Sequence, residues 1–380
     1  MAINSFFSLA IMSFRKEPSH THGSIDKTAV LLINLGSPDA PTAAAVRPYL
    51  RQFLSDPRVV EIPKMVWWWI LNGIIVPFRS GKSAKKYEMI WTRDGSPLKV
   101  YTHKQAALMQ GYLGERGHSG LKVVYAMSYG KPGIDEVLDK LKQEGFDRIL
   151  ILPAYPQYSA TTTASIFDAV FAHYRQVRNI PELRMVKHYH DHEAYIDSLK
   201  HAVLNYWEQY GRGQKLVMSF HGVPERTLTL GDPYHCECYK TARLLAEQLR
   251  LSPDQYLVTF QSRFGKAKWL EPYTQPTIEK LAQQGLQRVD VICPGFISDC
   301  LETLEEIQME VKAAFVQAGG KEFHYIACGN DSPKWIAALS DIAEQHLIGW
   351  PTMLAPSERE VQKKQAELSR SEALRIGADN

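Results

Sequence analysis

Three apolar runs recur in the same order in two parts of the chain. Ala29-Val-Leu-Leu-Ile-Asn-Leu-Gly-Ser-Pro38 and Lys215-Leu-Val-Met-Ser-Phe-His-Gly-Val-Pro224 both read as buried strands ending in x-Gly-x-Pro. Val123-Val-Tyr-Ala-Met-Ser-Tyr-Gly130 corresponds to Leu257-Val-Thr-Phe-Gln-Ser-Arg-Phe-Gly265. Gly145-Phe-Asp-Arg-Ile-Leu-Ile-Leu-Pro153 corresponds to Gly285-Leu-Gln-Arg-Val-Asp-Val-Ile-Cys-Pro294. Each member of this last pair follows a helix-period pattern, residues 134–143 or 277–284, and a turn glycine. Near-continuous apolar strands alternating with helices predict parallel sheets buried on both faces. The fold expected is therefore α/β, with two similar Rossmann-like halves and a cleft between them. The halves are expected at residues 27–197 and 198–329, with loosely ordered tails at 1–26 and 351–380.

Ligands of open α/β sheets bind outside the carboxyl ends of the strands. His221 closes the first strand of the second half, and Glu302 follows a later strand of the same half, so both are expected at the cleft. Glu302, Glu306 and Glu310 stand four residues apart in a predicted α-helix, which lines three carboxylates along one side. Like charges at that spacing destabilise a helix by a few tenths of a kcal/mol each. The row is therefore mildly unfavourable unless it binds something, the alternative being a solvated acidic face.

Composition narrows the classes. With 380 residues, 45% of them hydrophobic, there is material for two cores. Lys and Arg number 44 against 41 Asp and Glu, so no general attraction to nucleic acid exists. Five cysteines, an odd number, suit a reducing cytosol. The Phe6-Phe-Ser-Leu-Ala-Ile-Met12 run is short and is followed, not preceded, by Arg15 and Lys16, the wrong order for a secretory signal. No stretch reaches the roughly 18 apolar residues of a membrane span.

Met65-Val-Trp-Trp-Trp-Ile-Leu-Asn-Gly-Ile-Ile-Val-Pro-Phe78 is the most apolar stretch outside the strands, with Lys64 before it and Arg79, Lys82, Lys85 and Lys86 after. Trp67, Trp68 and Trp69 cannot all face one core, and tryptophan favours membrane interfaces. A buried helix is the competing reading. His188-Tyr-His-Asp-His192 has the residue types of a zinc site. Alternate positions in one short run rarely close a tetrahedron without ligands from elsewhere, so we expect this run on the surface, after a strand at 183–186. Cys236-Glu-Cys238 beside His235 raises a metal or redox reading too.

Taken in order, the motifs Asn34-Leu-Gly-Ser-Pro38, Gly95-Ser-Pro97, Tyr155-Pro-Gln-Tyr-Ser159, Ser219-Phe-His-Gly-Val-Pro224, Gly231-Asp-Pro-Tyr234, Phe260-Gln-Ser-Arg-Phe-Gly265 and Cys293-Pro-Gly-Phe-Ile-Ser-Asp-Cys-Leu-Glu-Thr-Leu-Glu305 closely resemble the bacterial ferrochelatases. These enzymes insert Fe2+ into protoporphyrin IX at the end of haem synthesis. The resemblance implies that His221 is the active-site histidine and Glu302 the acidic residue facing it, both catalytic and both able to touch the metal. It makes Asp299, Glu306 and Glu310 the acidic row behind. It assigns the porphyrin pocket to Leu35, Arg79, Ser96, Tyr129, Tyr155, Ser159, Trp269 and Phe296, with Arg79 on a propionate. It makes the tryptophan run a lip that attaches peripherally to the inner face of a membrane, and brings a helix near 330–350 back onto the first half. An upstream enzyme of the haem pathway is a candidate partner.

Some of these enzymes carry a [2Fe–2S] cluster with a cysteine beside the Tyr-Pro-Gln-Tyr-Ser motif and others near the C-terminus. Here that position is Ala160 and residues 329–380 contain no cysteine, so no such cluster is expected, nor any tightly bound cofactor. Cys300 stands where some relatives have histidine. Two alternatives accompany the resemblance: a coproporphyrin-using enzyme, and a non-catalytic tetrapyrrole or metal carrier. Coproporphyrin enzymes tend to carry tyrosine in place of Leu35 and a less apolar lip, and intact His221 and Glu302 argue against the carrier.

The chemistry accounts for these residue types independently. A free-base porphyrin carries two pyrrole protons, so metallation needs a base, and imidazole titrates near working pH. Imidazole and carboxylate also suit borderline Fe2+ as transient ligands.

Overall fold

The computed structural model describes residues 14–379 apart from Phe264 and Lys266. Strands β1 (Lys27–Asn34), β2 (Leu121–Met127), β3 (Phe146–Pro153) and β4 (Glu182–Met185) form one parallel sheet in the order β2-β1-β3-β4. Strands β5 (Lys215–His221), β6 (Tyr256–Gln261), β7 (Arg288–Ile292) and β8 (Glu322–Ile326) form a second, in the order β6-β5-β7-β8. The two orders are the same, and the three repeated runs occupy equivalent strands.

Alternation along each strand decides which core it feeds. Ala29, Leu31 and Ile33 of β1 pack under the Ile134–Gln143 and Ser165–Tyr174 helices. The first of these helices buries Ile134, Val137, Leu138 and Leu141, the 3.6-residue stripe that its sequence predicts. Val217, Val289 and Val291 serve the outer face of the second sheet. The inner faces converge. Val30, Leu32, Leu150 and Leu152 join Leu216, Met218, Phe220 and Val258 in one continuous core. The Pro333–Leu347 helix supplies Ile336, Leu339 and Ile342 to that core, and packs on the Pro97–Glu115 and Glu193–Tyr210 helices and on β3.

Two expectations are corrected. Residues 351–380 were expected to be loose, yet Pro356–Arg375 form a helix with no buried residue. Its cause is local: Pro356 opens the helix, Glu358 accepts from the Ala355 N–H at 2.7 Å, and the body is rich in Ala, Glu, Lys and Arg. The described part of the N-terminal segment is also held. Arg15 pairs with Asp135 and Asp139, and Glu17 accepts from the Arg178 and Asn179 N–H groups. The Phe6–Met12 run lies outside the described residues. Among the described residues no helix is long and apolar enough to cross a membrane.

Candidate active site

The carboxyl ends of both sheets face one cleft. From the second sheet, β5 ends at His221. The His221 Nδ1 lies 2.6 Å from the Gly222 carbonyl, which can only accept, so Nδ1–H donates and Nε2 is left without that partner. The Tyr234 hydroxyl donates to the His221 carbonyl at 2.9 Å and fixes the strand end. Trp269 and Phe296 flank the imidazole, with ring centroids 6.5 and 6.4 Å away.

Glu302 opens a helical segment of unexpected form. Glu302–Val311 is a ten-residue π-helix, not the α-helix predicted. Its i→i+5 bonding makes a wider turn and sets Glu302, Glu305, Glu306 and Glu310 along one cavity of about 610 Å3, which Arg79, Ser83 and Lys86 also line. Glu306 accepts from the Ser262 N–H at 2.7 Å, from the Ser262 hydroxyl, and from the Gln261 amide at 3.4 Å. Burial pushes its carboxyl above the usual range, partly offset by the Ser262 bonds and by attraction to His221; repulsion from Glu302 adds to the rise. His221, Glu302 and Glu306 therefore share one electrostatic neighbourhood.

Further along, Lys86 bridges Glu305 at 2.8 Å and Glu310 at 2.9 Å. Glu305 is buried, and desolvation raises its pKa against the pull of Lys86. Spacing at i+4 had pointed past Glu305, and nothing local marked Lys86, 219 residues away, as its partner.

The predicted pocket residues of the first half stand just beyond its strand ends. Leu35 follows β1 and packs with Tyr49, Tyr129, Leu301 and Leu304. Tyr129 follows β2; its hydroxyl donates to Asp56 at 2.8 Å and lies 3.1 Å from Ser165. Tyr155 follows β3, and its buried hydroxyl has no hydrogen-bond partner. Desolvation first, then the charges of Tyr129, Tyr49 and Glu302, raises its pKa well above the ordinary value. Arg79 stands on the Val76–Ile90 helix, its guanidinium lowered from its ordinary pKa by partial desolvation.

Of the predicted site residues, Arg79, Glu302, Glu306 and Glu310 line this cavity, and Asp299, Ser159 and Ser96 are buried outside it. Asp299 is buried, taking bonds from Thr303, Tyr325 and Asn330 at 3.1, 2.5 and 2.6 Å, which occupy both of its oxygens. Ser159 is buried and caps the Ala160–Ala164 π-turn, with its hydroxyl 3.2 Å from Asp232. Ser96 is buried at the start of the Pro97–Glu115 helix.

The tryptophan run divides. Trp67 is buried and donates from Nε1 to the Leu54 carbonyl at 2.6 Å, whereas Trp68 and Trp69 are 55% and 71% exposed. Met65, Val66, Ile74 and Phe78 share the exposed face. Trp67 is thus a core residue, as the competing reading held, and two tryptophans remain for a lip.

Twin four-stranded parallel sheets flanked by helices make up the chelatase fold. SirB from Bacillus subtilis, solved with Fe3+, matches with a TM-score of 0.50 at 13% identity, covering 85% of this chain and 96% of its own. Sequence goes further. A family model described as Ferrochelatase matches residues 27–347. The ferrochelatases of Janthinobacterium sp. (strain Marseille) and Herminiimonas arsenicoxydans are each 67% identical, over 97% of this chain and 100% of theirs. The chain belongs to the ferrochelatase family, and is a metal-chelating lyase.

Proposed function

We propose that this enzyme inserts Fe2+ into protoporphyrin IX, forming protohaem and releasing two protons. The observation that carries this reading is the π-helical carboxylate row, which shares a cavity with Arg79 and acts electrostatically on the same ground as His221. His221, with Nδ1–H committed to Gly222, turns Nε2 toward a pyrrole proton or the incoming metal. Glu302 faces it and neutralises charge as the metal enters. Glu306 and Glu310 form a conduit, ions passing along groups whose own partners keep them from holding a divalent cation tightly. Leu35, Tyr129, Tyr155, Trp269 and Phe296 enclose the macrocycle, and Arg79 pairs with a propionate at the rim. Trp68 and Trp69, with basic residues close by, rest peripherally on the inner face of a membrane.

Anaerobic titration of purified protein with Fe2+ and either protoporphyrin IX or coproporphyrin III tests this, followed by the change in porphyrin absorbance. Faster turnover of protoporphyrin IX is expected, because the apolar lip and Leu35 suit the less charged ring. Preferential use of coproporphyrin would overturn the substrate assignment. No metallation of either ring would overturn the catalytic one.

A further inference from the structure

We propose that His188, His190 and Glu237 form a second metal site, outside the cleft, for one borderline divalent cation such as Zn2+. The histidines lie in the loop between β4 and the Glu193–Tyr210 helix; Glu237 lies in the first turn of the Tyr234–Gln248 helix. Potential ligand atoms of the three all fall within 4.8 Å of one another. His188 Nδ1 is 2.7 Å from Glu237 Oε1, and His190 Nδ1 is 3.4 Å from Glu237 Oε2. A tetrahedral ion with bonds of 2.0–2.1 Å separates its ligands by about 3.3 Å, so ligand separations of up to 4.8 Å need to close by at most about 1.5 Å to receive one. The ligand from elsewhere that the histidine run lacked is Glu237.

Two observations point to a cation. His190 is 5% exposed, contrary to the surface position expected for the run, and its Nδ1 is buried without a hydrogen-bond partner. Buried ring nitrogens are otherwise nearly always satisfied. Glu237 is buried as well, and its Oε2 accepts from the Tyr158 N–H at 2.7 Å, the kind of supporting bond that orients a ligating carboxylate. Tyr189, between the histidines, is turned into the core and donates to the Pro153 carbonyl. The His188 side chain is 40% exposed, which gives an ion a way in and a water the fourth position. Two imidazoles and a carboxylate suit Zn2+ and its neighbours over Mg2+ or Ca2+. Asp191, whose nearest oxygen is 3.9 Å from His190 Nδ1, is engaged by Lys240. A bound ion would fasten the end of the first sheet to a helix of the second half, beside the loop that carries Tyr155.

The test counts Zn2+ bound by metal-stripped, full-length protein carrying His221→Ala, which removes the cleft imidazole. One equivalent is expected to survive gel filtration, with Zn2+ raising the melting temperature. Adding His188→Ala, at a half-exposed position, is expected to abolish both. Glu237→Gln, which keeps an acceptor for the Tyr158 N–H, is expected to weaken Zn2+ binding at least tenfold. Circular dichroism melts in metal-free buffer verify that each variant is folded. Retention of the equivalent and of the melting shift in both variants would overturn the site, as would a His221→Ala protein that holds no Zn2+.

Discussion

Replacing Trp68 and Trp69 by serine, with Trp67 left in place, separates membrane docking from folding. The two rings are 55% and 71% exposed, which at about 250 Å2 per tryptophan leaves about 300 Å2 of ring surface in water. At about 25 cal/mol per Å2, full burial in a membrane would contribute about 7 kcal/mol. Docking that covers half of it contributes about 3.5 kcal/mol, so the double variant should partition to vesicles about 300-fold less well. Its melting temperature should hardly move, since exposed substitutions stay within about 0.5 kcal/mol. Trp67→Ala should do the opposite, losing about 3–5 kcal/mol of stability through the cavity left between Leu54, Leu71 and Val76. Sedimentation with vesicles containing anionic lipid, beside thermal melts, reads both quantities. Unchanged sedimentation of the double variant would refute the lip, and a large drop in its melt would show that these rings are packed.

His221→Ala should abolish metallation while porphyrin binding, followed by fluorescence quenching, stays near the parent's. Arg79→Ala should weaken binding of the porphyrin diacid by about 1.5–3 kcal/mol and leave the diester unaffected; equal losses for both would remove Arg79 from the propionate. Lys86→Met should destabilise by about 1 kcal/mol at pH 7, a modest figure because Lys86 is part exposed. The sign follows from Glu305: its folded pKa is raised above 4.5, so its ionised form costs stability as pH rises through that range, more so without Lys86. Melts at pH 4.5 should therefore bring the variant close to the parent, and a constant gap would refute the pairing. Glu306→Gln with Glu310→Gln should raise the Fe2+ concentration needed for half-saturation, and an unchanged saturation curve would end the conduit.

Most of the scaffold was legible because buried parallel strands announce themselves as continuous apolar runs, and two sets in one order fix two sheets. His221 and Glu302 followed from chain position alone, as residues just beyond strand ends. The π-helix was not legible: α and π windings of Glu302–Val311 use the same residues, and the choice rests on i→i+5 bonding within a packed cleft. Asp299 and Ser159 look like site residues in sequence, but Tyr325, Asn330 and Asp232 lie 26, 31 and 73 residues away and engage them. The Pro356–Arg375 helix was missed for another reason. An apolar stripe was sought, and this segment is helical by propensity and capping, without one.

The continuous core behind the cleft constrains how the enzyme can move. Val30, Leu32, Leu216, Met218 and Phe220 belong to the same packed mass as residues of the Pro333–Leu347 helix. Jaw-like rotation of one sheet away from the other would tear that mass open, whereas hinged closure in other proteins exploits small polar interfaces. Parting the sheets to admit a rigid macrocycle would therefore sacrifice the burial of that shared mass. Motion falls to what is lightly anchored. The Lys64–Ile70 segment hangs on a small separate cluster of Leu54, Trp67, Leu71 and Val76, and leads through the Leu71–Ile75 π-turn into the helix that carries Arg79 and Lys86. The rate at which a ring is loaded and released should therefore track the packing of Trp67.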